Sequence, residues 1–116
     1  MLRVIFLLVF FLATSASFAD ESVCSKLAEV TTAPENNYRP ALEATVIGKG
    51  RLNFYTAPSA LCPMKNVFVI NGNVLTVYKS HNGWANVMFI AKSGEDFMGW
   101  VSENRIKITG QYGQNP

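Results

Sequence analysis

Few residues in this sequence have the types and spacing that catalysis requires. His81 is the only histidine, and its neighbours Ser80 and Asn82-Gly83 are turn residues, which predicts a solvated loop side chain rather than a general base. Nucleophilic catalysis needs a base held by a third group, and the sequence marks no such group. Glu95 and Asp96 are adjacent, so in a strand they point to opposite sides and cannot work as an acid–base pair. We therefore expect that the protein is not an enzyme.

Residues 1–19 have the pattern of a secretory signal peptide. Arg3 forms a basic start, residues 4–12 are uninterruptedly apolar, and Ser17-Phe18-Ala19 places small residues at the −3 and −1 positions of a cleavage site. A membrane span needs about 20 apolar residues, so an uncleaved anchor is the weaker alternative. The residues before Cys24 are not those of a lipoprotein signal. We expect cleavage after Ala19 and a periplasmic protein without a membrane anchor, with full secretion as the alternative.

The cysteines Cys24 and Cys62 both lie in the exported part of the chain. In an oxidising compartment an even pair predicts a disulfide. The alternative, half of a zinc site, lacks neighbouring ligands. Because no metal-binding spacing and no glycine-rich phosphate loop appears, we expect no metal and no cofactor.

The charge of the exported chain is close to neutral. Of the ten Lys and Arg residues, Arg3 leaves with the signal peptide, which sets nine against eight Asp and Glu. The basic residues are scattered singly rather than grouped in a block. Nucleic acids and anionic membranes are therefore poor partner candidates.

The exported part is long enough for one domain, and it begins with a short helical segment within residues 20–42. Residues 22–30 predict two helical turns with Val23, Leu27 and Val30 on one face. Asp20 or Ser22 would cap this helix, and Pro34 would end it. The disulfide would pin the helix and its following loop to the rest of the domain.

From residue 43 onward, short apolar and aromatic runs alternate with turn residues. The runs lie at residues 44–47, 52–55, 67–70, 74–79, 84–91, 99–101 and 105–108. Asn71-Gly72, after the third run, is a strong hairpin signal. The spacing predicts an all-β fold, a small barrel or sandwich of five or six strands over residues 43–109. Residues 110–116 would form a flexible tail.

Four elements in this region resemble the motifs of bacterial SH3 domains. The elements, in order, are residues 51–59 (RLNFYTAPS), 72–78 (GNVLTVY), 83–87 (GWANV) and 99–101 (GWV). The resemblance covers roughly residues 45–108 and implies an SH3-like barrel whose Gly-Trp pairs lie where a turn leads into a strand. The sequence departs from the family pattern at Phe54-Tyr55, in a cysteine-containing loop at 60–66, and in a longer last hairpin at 95–98. Bacterial SH3 domains often accompany cell-wall hydrolases, but no hydrolase domain fits in this chain.

Aromatic residues and methionines are the remaining functional signal. Alternation places one set inward as ordinary core: Leu52, Phe54, Leu75, Val77, Val87, Phe89 and Val101. Tyr55 alternates outward beside Pro58, in the loop that SH3-like folds use for ligands. Trp84 and Trp100 are ambiguous, and the motif favours a structural role for both. The predicted ligand-binding set is Tyr55, Pro58, Tyr78, Trp84, Met98 and Trp100.

Three functional hypotheses follow. The first is a binding module for a peptidoglycan stem peptide or an envelope protein, with exposed aromatic side chains forming the groove. The second is an immunity or inhibitor protein that neutralises a secreted toxin or a cell-wall-degrading enzyme in the periplasm. Its contact surfaces would be the hairpin at 92–98 and the loop at 59–66. The third and weakest is a small enzyme using His81.

Overall fold

A computed structural model describes residues 21–113, so the predicted signal peptide and the last residues of the predicted tail lie outside the described part. One helix and seven strands make up the fold, with a short 3-10 helix at Glu103–Arg105. In chain order they are α1 (Glu21–Thr31), β1 (Leu42–Val46), β2 (Leu52–Tyr55), β3 (Pro63–Val69), β4 (Val74–His81), β5 (Trp84–Ile90), β6 (Asp96–Ser102) and β7 (Ile106–Gln111). The all-β class with one short N-terminal helix is confirmed.

The seven strands form one sheet in the order β3-β2-β6-β5-β4-β1-β7. All of its pairings are antiparallel. The sheet therefore has more strands than the five or six predicted. Residues 63–66, predicted to lie in a loop, begin β3 and pair with β2 through Tyr55 and Pro63.

The hairpin predicted at Asn71-Gly72 was wrong, because β3 and β4 do not pair. Only Gly72 has a positive φ there, at 90°, whereas the tight hairpin turn that Asn-Gly favours needs positive φ at both residues. The Gly72 amide instead donates to the Val46 carbonyl at 2.8 Å, which ties the turn to the end of β1. The tight hairpin lies at Asn82-Gly83, where φ is 47° and 83° and β4 pairs with β5.

The main core lies on one face of the curved sheet. Its buried members are Ala44, Val46, Leu52, Phe54, Val69, Leu75, Val77, Ala85, Val87 and Val101. Six of the seven residues predicted to point inward are in this set, and the seventh, Phe89, packs against it half-buried. The period-two alternation of strand side chains made this set readable from the sequence.

The Cys24–Cys62 disulfide is present and anchors α1 to the sheet. Cys24, Cys62 and Ala57 are buried in a second apolar cluster. Leu27 and Ala28 pack against this cluster. The predicted helix face was wrong in part, since Val23 is 54% and Val30 76% exposed. The disulfide sets the rotation of the helix, and residues three and four positions after Cys24 then lie on the packed face.

The segment after α1 crosses the face of the sheet opposite the main core. The Tyr38 amide donates to the Tyr78 carbonyl at 2.7 Å, and the Tyr38 hydroxyl donates to Ser80 Oγ at 3.0 Å. The Lys79 ammonium donates to the Ala33 carbonyl, so this cation is buried with a partner. These bonds make α1 and its following segment a cover over part of the outer sheet face.

Gly99 gives a prediction about the packing of β6. A Cβ at this position would lie 2.9 Å from the Tyr55 carbonyl oxygen and 3.2 Å from both Met64 Sδ and Phe54 Cδ2. We expect Gly99→Ala to lower the free energy of unfolding by about 1–3 kcal/mol, because backbone and core must shift. Urea denaturation measures this change.

The matched control for Gly99 is Gly110→Ala in β7, where an added Cβ meets nothing within 4 Å. This variant should be neutral or more stable by about 0.5 kcal/mol, since alanine loses less backbone entropy on folding than glycine. Equal effects of the two substitutions would contradict the packing assignment.

Candidate functional site

The outer face of β4–β6, opposite the main core, carries most of the predicted ligand-binding residues. Met98 lies directly across from Met88, and Trp100 directly across from Asn86, so each pair shares a face of the sheet. Tyr78 belongs to the same face because it follows Val77, which points into the main core. Its hydroxyl donates to Met88 Sδ at 3.6 Å.

Two cavities lie beside α1 and its following segment, and Thr56 lines both of them. We refer to this pair of adjacent cavities as the groove. The helix cavity, of about 620 Å³, is lined by Glu21, Cys24, Ser25, Ala28, Thr56, Leu61, Cys62, Pro63 and Lys65. The Tyr78 cavity, of about 540 Å³, is lined by Thr32, Asn37, Thr56, Tyr78, Asn86, Met98 and Gly99.

The two cavities differ in chemistry. The lining of the Tyr78 cavity holds hydroxyl and amide side chains and a thioether but no charged group. Asn86 in its floor is 7% exposed and donates from Nδ2 to the Gly99 carbonyl at 3.3 Å. The helix cavity is apolar except for Ser25, Thr56 and the charged residues Glu21 and Lys65. A short extended ligand with both apolar and neutral polar parts suits this combination.

The structure divides the predicted ligand-binding residues. Tyr78 and Met98 line the groove, and Met98 is 55% exposed. Tyr55 and Trp84 lie outside both linings and form an edge-to-face aromatic pair with ring centroids 4.8 Å apart. Pro58 also lies outside both linings. The predicted set therefore does not line one common cavity: two of its residues line the groove and Tyr55, Pro58 and Trp84 do not.

Trp100 has no solvent-exposed surface, which supports the structural role that the motif favoured. Its ring lies 6.4 Å from that of His81, centroid to centroid. Its Nε1 is buried and has no hydrogen-bond partner in the described part of the chain. In this conformation Trp100 packs inside the protein and has no exposed surface that a ligand could contact.

Sequence reasoning missed the polar residues of the groove. Asn86 follows Trp84 by two positions, so alternation along β5 would have placed it on the outer face. Thr32 and Asn37 carry no comparable signal, because they reach the sheet only through the path of the segment after α1. The Thr32 hydroxyl is already bonded to the Ala28 carbonyl at 2.6 Å.

Of the residues considered for catalysis or metal binding, His81, Glu95 and Asp96 lie outside both cavity linings, whereas Cys24 and Cys62 line the helix cavity. His81 is exposed in the β4–β5 turn region, and its Nε2 lies 3.3 Å from Asn82 Nδ2. Both cysteines are in the disulfide. Among residues 21–113, no group of three or more His, Cys, Asp and Glu is arranged to hold a metal ion. Within the same range, none of the helical segments has the length and apolar character to cross a membrane.

Comparison with known proteins returned no matching family model, no matching curated protein and no matching solved structure.

Proposed function

We propose that this chain is a non-enzymatic binding module of the periplasm with an SH3-like barrel, and that it binds a peptidoglycan stem peptide or an envelope polypeptide. The groove along α1 is the ligand site in this proposal. The observation that carries it is that Thr56 lines both cavities, so the two lie next to each other along α1 and its following segment.

The course of the sheet supports the SH3-like barrel. β1 pairs with both β4 and β7, and β4, β5 and β6 follow one another as a meander. The main core lies against one face of this single sheet, and the interior of a small barrel is likewise formed by one face of its sheet. Gly83-Trp84 stands where a turn leads into β5, as the resemblance implies, whereas Gly99-Trp100 lies inside β6 because that strand already begins at Asp96.

The dimensions of the groove suit a short peptide. The 11 residues of α1 span about 16 Å at the helical rise per residue. An extended peptide advances about 3.3 Å per residue, so about five residues fit beside the helix. Tyr78 and Met98 supply apolar contact, and the neutral amide of Asn86 suits peptide groups of the ligand.

The chemistry of the lining supports binding without catalysis. The charged side chains that line the two cavities are Glu21 and Lys65, and both belong to the helix cavity. The Tyr78 cavity presents hydroxyls, amides and a thioether, none of which is a general base at neutral pH.

Sedimentation with purified sacculi, and fluorescence titration with a synthetic stem peptide, test the proposal. We expect the exported protein to bind both. Met98→Glu should weaken binding at least about tenfold, because it places an unpaired carboxylate in the groove. Met98 is exposed, so the substitution should leave the fold intact.

Ile90→Glu is the matched control, since Ile90 is 60% exposed and lies outside both cavity linings. It should bind like the unmodified protein. Equal weakening by both substitutions would place the ligand elsewhere, and failure to bind either sacculi or stem peptide would reject the peptidoglycan ligand.

The immunity or inhibitor function is a second candidate, because both predicted contact segments carry exposed apolar side chains. Leu61 in the 59–66 segment is 47% exposed, and Met98 in the 92–98 segment is 55% exposed. A stoichiometric complex with one purified envelope enzyme or toxin, together with no binding to sacculi, would favour this function over the first.

A further inference from the structure

The loop between β1 and β2 is held in one shape by side chains from elsewhere in the chain. Arg105 donates from Nε to the Ile47 carbonyl at 2.7 Å and from Nη2 to the Gly50 carbonyl at 3.0 Å. Asn71 Nδ2 donates to the Gly48 carbonyl at 3.2 Å. Gly48 has a φ of 87°, and a Cβ there would lie 2.7 Å from Arg105 Nε. A loop anchored at three carbonyls loses little further entropy when it binds a partner.

This loop presents two cations that have no acidic partner among residues 21–113. Lys49 and Arg51 are exposed, and neither forms an ion pair within the described part of the chain. The Arg51 guanidinium lies over the ring of Phe68, 4.2 Å from its centroid. The aromatic ring restrains the guanidinium and leaves its N–H edge available to a carboxylate.

Exposed apolar side chains surround these cations. Ile70 is 51%, Ile47 39% and Phe68 37% exposed. Of these three side chains, Ile70 borders a shallow cavity of about 550 Å³ at the loop, which is lined by Gly48, Lys49, Gly50, Arg51, Ile70 and Asn71. We name the surface formed by Ile47–Arg51, Phe68 and Ile70 the basic end. It is separate from the groove along α1, whose linings share no residue with this cavity.

We propose that the basic end docks a segment of a partner protein in which acidic and aliphatic residues alternate. The two cations favour carboxylates as binding partners. Burial of the exposed aliphatic side chains beside them is favourable only against an apolar surface of the partner. A second copy of this chain would bring Lys49 and Arg51 against like charges, which disfavours self-association at this surface. This inference goes beyond the proposed function, since it concerns another surface and another ligand chemistry.

Fluorescence anisotropy with a labelled peptide of alternating glutamate and leucine tests the docking surface. We expect this peptide to bind, and the same peptide with glutamine in place of glutamate to bind at least about tenfold more weakly. Lys49→Glu with Arg51→Glu should abolish binding of the glutamate peptide. Both residues are exposed, and circular dichroism would verify that the fold is kept.

The charge-matched control is Lys26→Glu with Lys92→Glu, which changes the net charge equally at two other exposed positions. This control variant should change the affinity for the glutamate peptide by less than about twofold at 150 mM salt, because distant surface charges are screened. The proposal fails if the glutamate peptide does not bind, if the glutamine peptide binds equally, or if both double variants lose affinity equally. It also fails if duplex DNA or anionic vesicles bind this surface more tightly than the peptide does.

Discussion

Replacing Cys24 and Cys62 together by alanine is expected to lower the free energy of unfolding by about 4 kcal/mol. The two residues are 38 positions apart, so the disulfide closes a long loop and removes much of the conformational entropy of the unfolded chain. Alanine is the replacement of choice because both positions are buried, and a serine hydroxyl there would need a partner. The same loss should follow reduction of the unmodified protein.

Loss of the disulfide should also disrupt the groove. α1 is one wall of the helix cavity, and its buried contacts come from Cys24, Leu27 and Ala28 beside Ala57 and Cys62. An isolated helix of this length is marginal in water, so without the disulfide α1 should fray while the main core of the sheet persists. The affinity for a ligand in the groove should fall when α1 frays.

Urea denaturation followed by fluorescence, with far-ultraviolet circular dichroism for the helix, measures both effects. The double alanine variant treated with dithiothreitol is the internal control, and its unfolding curve should not change. A loss of stability below about 1 kcal/mol on reduction would show that α1 docks independently of the disulfide.

Trp100→Ala is the second substitution for which we expect a large effect, a loss of about 4 kcal/mol. Trp100 is the largest of the fully buried side chains in the described part of the chain, and its removal leaves a cavity beside Tyr55, its pairing partner in β2. The expected signature is a lower urea midpoint together with disorder of the Tyr55–Trp84 ring pair, visible as changed ring resonances in NMR spectra.

Trp100→Phe separates a packing role from a ligand-binding role. Phenylalanine keeps most of the apolar volume and removes a buried N–H that lacks a partner in the described structure. An unpartnered buried donor costs about 1–3 kcal/mol, which offsets the smaller ring, so stability should change by less than about 1.5 kcal/mol. Ligand binding should be kept. If Trp100→Phe folds normally but loses ligand binding, the indole takes part in recognition after all.

The strands and the main core could be predicted from the sequence, because their signals are local. Leu75 and Val77 alternate with Thr76 and Tyr78, and only one face of a sheet can reach the core. Asn82-Gly83 supplies a turn whose dihedral angles match the twist of the strands it joins. The sequence has two cysteines, which can pair with each other in one way only, so the disulfide was predictable too.

The pairing partners and the groove were decided by the tertiary structure alone. Asn71-Gly72 has the composition of a hairpin turn, yet the bond from the Gly72 amide to Val46 directs the chain to another part of the sheet. Alternation assigns a residue to a face but cannot say which segment covers that face. Trp100 and Met98 lie on the same outer face of the sheet, yet Trp100 is fully buried and Met98 is exposed. The difference arises from long-range contacts: Trp100 lies between Tyr55 of β2 and Asn86 of β5 and beside the His81 ring, whereas Met98 borders the Tyr78 cavity.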